Sequence, residues 1–464
     1  VPLPQRSNLL PALLAASLAL TACSDSSDEP PAAPAGPASL LTVRSAAGPE
    51  GQAGGMGRVE FPVFLDQPQD SDVLLYYRTL DGEAEADSDY LAQDHHLTIA
   101  AGTTSALLVV ETLGDAALEP AERFSLELRV EGNARLAQDS AAGTIANDDS
   151  QCDTPFSKDP NPWRIAPGDD PLNYAHRGGV TDFPENTLYA YYAVAEAGAD
   201  VLEMDVYQTA DNELVILHDL DVDRTTNGSG QVVDLTLAEL RELDAAYWFV
   251  QDEGTPHDAP ASAYTFRGIA TGEQPPPPGY RAEDFRIPTL EEALRAFPHH
   301  LINIELKPDL DGRGNYEQQI ADLLLRYGRT TDVIAASFVD EAANNFKAVA
   351  PCVFTSVPLE QGTGLVLGSQ GDGAIPPVPE HVAFQVPPDT SQIQQVPDDF
   401  YLRVVTEDFI RDAHAANLAV QVWTVNRCEE MLEMIDLGVD AIMTDRPLLL
   451  ASLLDTPPEQ RRCD

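Results

Sequence analysis

The chain has 464 residues, with 76 acidic against 27 basic side chains and a net charge of -49. That length exceeds one ordinary domain and accommodates two or three units, one of which can be a large barrel. The acidic excess excludes recognition of nucleic acid or of an anionic membrane through a basic face, and it suits solubility and cation binding at acidic clusters.

The N-terminal stretch "VPLPQRSNLLPALLAASLALTAC" has one Arg, an apolar run from Leu9 to Leu20, and small residues ahead of Cys23. It reads as a secretory signal over residues 1–22, too short for a comfortable membrane span. Its end, Leu20-Thr21-Ala22-Cys23, resembles the bacterial lipoprotein signal. The resemblance implies cleavage before Cys23, a lipid on that cysteine, and a membrane-anchored protein of the cell envelope. Ser24 in the next position favours the outer membrane. Residues 23–37 are rich in Ser, Pro and Ala and form a tether with no means of building a core.

Residues 38–149 carry short apolar runs separated by turns: "VEFPVFL", "VLLYYRTL", "HLTIAAG", "SALLVVETL" and "FSLELRV". Alternation at this spacing predicts a β-sandwich. The segments "PEGQAG", "YYRTLDGEAEADSDY", "LTIAAGTTSALLVVETLGDAALEPAERFSLEL" and "GTIANDD" resemble the Calx-beta domain. In that family acidic side chains at one end of the sandwich bind calcium. The resemblance places that role on Glu50, Asp89, Asp115, Glu119, Glu122, Asp148 and Asp149. Such oxygen-only ligands suit a hard cation; the alternative is a spacer whose acids are solvated.

From residue 150 to 464 the rhythm changes to strands alternating with helical stretches, which predicts βα units around a parallel sheet. The strands are "NYAHRGG", "VLEMDV", "LINIELKP", "VIAASF", "VFTSVP", "VAFQVPP", "AVQVWTV" and "AIMTDRP". Eight units favour an α/β fold of the (β/α)8 TIM-barrel type over an open doubly wound sheet, which would carry a Gly-rich phosphate loop. No GxGxxG, Walker A or GxSxG motif occurs. Cys152, Cys352, Cys428 and Cys463 are compatible with two disulfides in an oxidising compartment and allow three connectivities. A Cys152–Cys463 bond would tie together the two ends of this domain.

Within "LEMDVYQTADNELVILHD", the run "VILHD" follows "LEMDV" too closely for a parallel crossover, so a hairpin is expected. Pairing of Thr209 with Leu214 would set Asp205 opposite His218. Alternation puts Glu203 and Asp205 on one face of the second strand, and Glu305 and Lys307 on one face of "NIELKP". His176 and Arg177 end the first strand in the same way. All lie at C-terminal strand ends, where active sites of this fold are built. Buried carboxylates need partners: ion pairs with Arg177 and Lys307 are one solution, and a divalent cation held by Glu203, Asp205 and Glu305 is the simpler one. All-oxygen ligation favours Mg²⁺ or Ca²⁺ over zinc.

The segments "AHRGGVTDFPENTLYAYYAVAEAGADVLEMDVYQTADNELVILHDLDVDRTTNGSGQVVDLTLAELRELD", "FRIPTLEEALRAFP", "INIELKP" and "VQVWTVNRCEEMLEMIDLGVDAIMTDRP" resemble the glycerophosphodiester phosphodiesterase family. The likeness spans residues 173 to about 450. It implies the TIM barrel of the PI-PLC-like phosphodiesterases. It assigns acid/base catalysis to His176 and His218, one divalent metal to Glu203, Asp205 and Glu305, and phosphate contacts to Arg177 and Lys307. Glu185 and Asn186 would organise the mouth, and Trp423 would form a pocket wall. The implied reaction is hydrolysis of a small-molecule glycerophosphodiester, such as glycerophosphocholine or glycerophosphoethanolamine, to glycerol 3-phosphate and an alcohol. Residues 245–285 correspond to a variable insertion, which leaves open a phospholipase D type of action on lysophospholipids or other polyol phosphodiesters. From another class, an inactive calcium-binding surface scaffold would account for the acids without catalysis, but retention of both histidines and all three carboxylates speaks against it.

Overall fold

The computed structural model describes residues 38–51, 53–117, 121–148, 152, 156–308, 314–370, 380–393 and 400–463. The signal, the tether and Cys23 lie outside them, as do Glu119 and Asp149. The first unit is a sandwich of β1 (Ser39–Val43), β2 (Ala46–Pro49), β3 (Met56–Leu65), β4 (Val73–Leu80), β5 (Asp94–Ile99), β6 (Ser105–Leu113), β7 (Glu122–Glu131), β8 (Ala134–Leu136) and β9 (Ser140–Ala146). One sheet has the order β6-β3-β1-β8 and the other β2-β9-β7-β4-β5. Alternate residues such as Val59, Phe61 and Val63 of β3 and Phe124 and Leu126 of β7 point between the sheets and make the core. β1, β2, β8 and β9 lie outside the runs read as strands. The first three are short, and β2, with the sequence AAGP, holds its place by close backbone approach: a Cβ on Gly48 would lie 1.9 Å from the Arg58 carbonyl oxygen.

The second unit contains β10 (Leu172–Ala175), β11 (Val201–Gln208), β12 (Leu214–Ile216), β13 (Leu301–Leu306), β14 (Val333–Ala336), β15 (Phe354–Thr355), β16 (Ala383–Val386), β17 (Ala419–Val422) and β18 (Ala441–Thr444). Apart from β12, all pair in parallel, in the order β15-β14-β13-β11-β10-β18-β17-β16. A bridge between Ser356 and Ala383 closes the ring. This is the expected eight-stranded barrel. Its lumen is filled from below by Trp163, Val201, Ala383, Ala419 and Ala441. The next level is polar, with Gln385 Nε2 donating to Asn303 Oδ1 at 2.7 Å and Gln421 Oε1 at 2.9 Å. Leu202, Met204 and Val206 of β11 face outward into the layer shared with the surrounding helices.

Three details differ from expectation. The hairpin register is displaced by one residue. β11 and β12 pair Gln208 with Leu214 and Val206 with Ile216, so Asp205 faces Leu217, whose N–H reaches the Asp205 carbonyl at 3.0 Å. The cause is the turn. Thr209 closes it against Glu213 rather than Leu214, with Thr209 Oγ1 accepting from the Glu213 N–H at 2.9 Å, and Asn212 takes a φ of 67° to complete the reversal. A helix not expected from sequence, Leu359–Ser369, follows β15; its sequence LEQGTGLVLGS contains glycines that disfavour helix. The disulfides are Cys152–Cys352 and Cys428–Cys463, so no Cys152–Cys463 bond forms. Each end of the domain is stapled to a nearby part of the barrel instead.

The two units touch. Ala146, at the end of β9, packs among the barrel's outer core residues. Arg295 Nη1 lies 3.2 Å from Glu60 Oε2, and His299 Nε2 lies 3.0 Å from Thr144 Oγ1.

Candidate active site

The site is assembled at the C-terminal ends of β10, β11, β13, β17 and β18. β10 ends at Ala175, and the chain then turns sharply through His176, Arg177 and Gly178, with Arg177 at a φ of 52°. That turn points the Arg177 backbone N–H at Glu203 Oε2, 2.7 Å away. Glu203 and Asp205 project from β11 into the lumen, where they are 2% and 0% exposed. The parallel register sets Asp205 beside Glu305 of β13. Ligand oxygens of Glu203, Asp205 and Glu305 all lie within 4.8 Å of one another, and among the described residues this is the one such group.

Lys307 and Arg177 share this cluster. Lys307 Nζ is 2.6 Å from Glu305 Oε1 and 2.8 Å from Asp205 Oδ1, and Arg177 Nε is 3.4 Å from Asp205 Oδ2. Lys307 Nζ thus sits between Asp205 and Glu305 as a cation that both carboxylates share. Asn186 Nδ2 donates to Asp205 Oδ2 at 3.1 Å, and Tyr191 Oη donates to Asn186 Oδ1 at 2.7 Å. Three carboxylates whose oxygens converge this closely, against two side-chain cations, are the donor set a hard cation completes. The donor set therefore fits Mg²⁺ or Ca²⁺.

Electrostatics agree. Burial, and then the charge of Asp205, pushes the Glu203 carboxyl up to about 8. Burial also raises Glu305, against the pull of Lys307. Asp205 is buried as deeply, yet Lys307 and Arg177 overcome that and hold it well below the usual carboxylate range. Two fixed cations thus ionise one carboxylate fully and leave the others short of positive charge.

Both histidines are oriented by a carboxylate. His176 Nδ1 lies 2.5 Å from Asp445 Oδ1, and Asn426 Nδ2 donates to Asp445 Oδ2 at 2.6 Å. His218, just beyond β12, has Nδ1 2.6 Å from Asp219 Oδ1. Asp219 Oδ2 accepts from Arg224 Nε at 2.5 Å, and the Arg224 fork grips Glu185 with two bonds of 2.7 Å. An ionised carboxylate only accepts, so each Nδ1 carries its proton and each Nε2 is the atom that exchanges one.

Arg177, Glu203, Asp205, Glu305 and Lys307 are thus joined in one cluster, and His176 adjoins it through its chain neighbour Arg177. Glu185 and Asn186 stand behind them, and His218 joins through Asp219, Arg224 and Glu185. Trp423 sits at the end of β17, its ring edge-to-face with Phe338 at 5.2 Å. Sequence reasoning missed Asp219, Arg224, Asp445 and Asn426. Asp445 carried a signal, being a charged residue just past a strand end as Lys307 is; Arg224 and Asn426 lie in loops and carried none. In the sandwich, Glu50 Oε1 accepts from the Asp115 N–H at 2.9 Å, while Asp89 Oδ2 caps the Glu85 N–H at 2.6 Å. Glu122 opens β7 and Asp148 follows β9.

A closed parallel barrel with carboxylates, histidines and basic residues grouped at its C-terminal mouth has the layout of a TIM-barrel enzyme. The sequence model of the glycerophosphoryl diester phosphodiesterase family matches residues 176–449, more than half of the chain, and the protein belongs to that family. Residues 53–150 match the Calx-beta domain. A glycerophosphodiester phosphodiesterase of Caldanaerobacter subterraneus subsp. tengcongensis is 32% identical over 285 residues, covering 61% of this chain and 97% of its own. A human lysophospholipase D is 26% identical over 306 residues, covering 60% and 85%. Among solved structures, the glycerophosphoryl diester phosphodiesterase domain of a Mycobacterium tuberculosis protein is 21% identical with a TM-score of 0.49, covering 61% of this chain and 99% of that one.

Proposed function

We propose that the barrel hydrolyses glycerophosphodiesters to glycerol 3-phosphate and an alcohol, with a divalent cation held by Glu203, Asp205 and Glu305. The observation that carries this reading is the group of three lumen carboxylates, with ligand atoms within 4.8 Å, beside two histidines that each pair with an aspartate. When bound, the cation supplies charge to the non-bridging phosphate oxygens and so offsets the negative charge that builds in the transition state. Arg177 and Lys307, already at the carboxylates, add positive charge on the same side. One histidine takes a proton from the attacking hydroxyl at Nε2 and the other gives one to the departing alkoxide, each contributing ~10²–10⁴-fold. Asp445 and Asp219 hold the rings in the tautomer this exchange needs.

Release of glycerol 3-phosphate from glycerophosphocholine by the full chain tests the proposal. We expect release that a chelator abolishes and that Mg²⁺ or Ca²⁺ restores, and a loss of at least 100-fold in His218→Ala with unfolding temperature nearly unchanged. No release under any cation from a folded sample overturns it.

One observation supports a second substrate class. Phe338 and Val339 follow β14, Phe400 and Tyr401 belong to the loop after β16, and all four are exposed. With Trp423 they put apolar surface on the mouth, which suits an alcohol bearing an acyl chain. Faster release of choline from lysophosphatidylcholine than from glycerophosphocholine would move the assignment there.

Two further proposals concern the rest of the chain. The lipid anchor at Cys23 and a cell-envelope location are consistent with the two disulfides, which need an oxidising compartment. Calcium binding by the sandwich acids is a separate proposal; an unfolding temperature unmoved by calcium, in a variant lacking the barrel carboxylates, removes it.

A further inference from the structure

Arg44 belongs to the sandwich, in the two-residue link between β1 and β2, but its side chain is spent on the barrel unit. It is 11% exposed and lies 3.4 Å from Asp284 Oδ2, whose side chain is fully buried. Its Nη2 donates to the Gly279 carbonyl at 2.6 Å. The guanidinium carbon sits over the Tyr192 ring, 3.6 Å from the centroid, with Phe64 and Tyr280 each at 4.9 Å. Withdrawing a guanidinium from water this far is costly unless charge, hydrogen bonds and ring faces are all supplied. Here they are supplied by residues outside the sandwich, Phe64 apart.

Those residues lead to the active site. Tyr192 lies on the helix Leu188–Glu196, and the two residues ahead of that helix's Thr187 cap are Glu185 and Asn186. Asn186, held at a φ of 54°, donates to Asp205; Glu185 grips Arg224, which holds Asp219 against His218. The Asp284 arm converges on the same helix. Phe285 stacks on Tyr189 at 4.4 Å and Tyr280 meets Tyr189 edge-on at 4.7 Å. Arg44 therefore grips one helix at two places, directly through Tyr192 and indirectly through the 279–285 segment.

We propose that Arg44 is a positioning residue for the barrel: through it the β-sandwich holds the helix Leu188–Glu196 so that Asn186 and Glu185 keep Asp205, Arg177 and Arg224 in place. The proposal rests on the reading of Glu203, Asp205 and Glu305 as the metal-holding set. It makes the sandwich a working part of the enzyme rather than a spacer. A carboxylate site depends on sub-ångström placement of its ligands, and lysine cannot replace the planar, stacked guanidinium.

The test compares Arg44→Ala, Arg44→Lys and Arg295→Ala in the full chain. Arg295→Ala breaks a different contact between the units, the one to Glu60. Chelator-treated protein is titrated calorimetrically with Mg²⁺, and kcat and KM are measured on glycerophosphocholine. We expect Arg44→Ala to be folded, with the Mg²⁺ dissociation constant raised five- to tenfold; Arg44→Lys recovers no more than half of that. Arg295→Ala lowers the unfolding temperature but binds Mg²⁺ within twofold of the parent. Should Arg44→Ala not fold, Tyr192→Leu, which removes the stacked ring alone, carries the same expectation. The proposal is overturned if the Arg44 or Tyr192 variant binds Mg²⁺ within twofold of the parent, or if Arg295→Ala weakens binding equally. A parent chain that binds Mg²⁺ but hydrolyses no diester sinks the substrate assignment and leaves the calorimetric comparison intact.

Discussion

Glu203 is the residue whose chemistry is most exposed to pH. Its carboxyl, raised from an ordinary 4.5 to about 8 by burial and Asp205, binds a proton in the folded protein that the unfolded chain has already released. Between those two values the folded state holds more protons, so stability falls as pH rises. Chelator-treated protein should lose unfolding temperature steadily from pH 5 to pH 8.5. A bound divalent cation replaces the proton and should flatten that slope; a parallel decline with and without Mg²⁺ would show that the cation does not meet Glu203. Much of this was legible in the sequence, because acids two residues apart on an apolar strand at a barrel mouth need partners of opposite charge. Asn426 and Arg224 were not legible, since a loop residue's reach depends on where its loop is packed.

Elements were read best where their periodicity was strong. All eight barrel strands lie where alternation with helical stretches put them, and the hairpin that returns His218 was foreseen from the shortness of "TADNE". Its register was not, because Thr209 closes the turn with its own side chain and shifts the pairing by one. The helix Leu359–Ser369 was missed for the opposite reason. Glycine lowers intrinsic helicity, and packing of Leu365 and Val366 into the core supplies what local preference lacks. A Cβ added at Gly364 in that helix would meet nothing within 4 Å. Gly364→Ala should therefore stabilise the protein by about 0.5–1 kcal/mol, read by urea unfolding; a destabilised variant would mean that the helix is strained there.

The whole molecule is held by staples as well as by cores. The Cys152–Cys352 bond closes a separation of 200 residues and Cys428–Cys463 one of 35. In the chain-entropy account these are worth up to about 5 and about 4 kcal/mol. Replacing the Cys152–Cys352 pair by serines should thus cost more in urea unfolding than replacing the other pair, and the reverse order would point to strain or residual structure. Four cysteines were compatible with two bonds, but their partners depended on packing. The contact between sandwich and barrel was equally hidden, for it is built from scattered residues such as Arg44, Glu60 and Ala146. The barrel itself has a seam. β15 contributes two residues, and its junction with β16 rests on the Ser356–Ala383 bridge and bonds from the Val357 and Val382 N–H groups. In a closed ring each strand is braced from both sides, and here the lacing is thinnest. β10, β11 and β13, which carry the carboxylates and basic residues, are instead paired with a barrel strand along both edges.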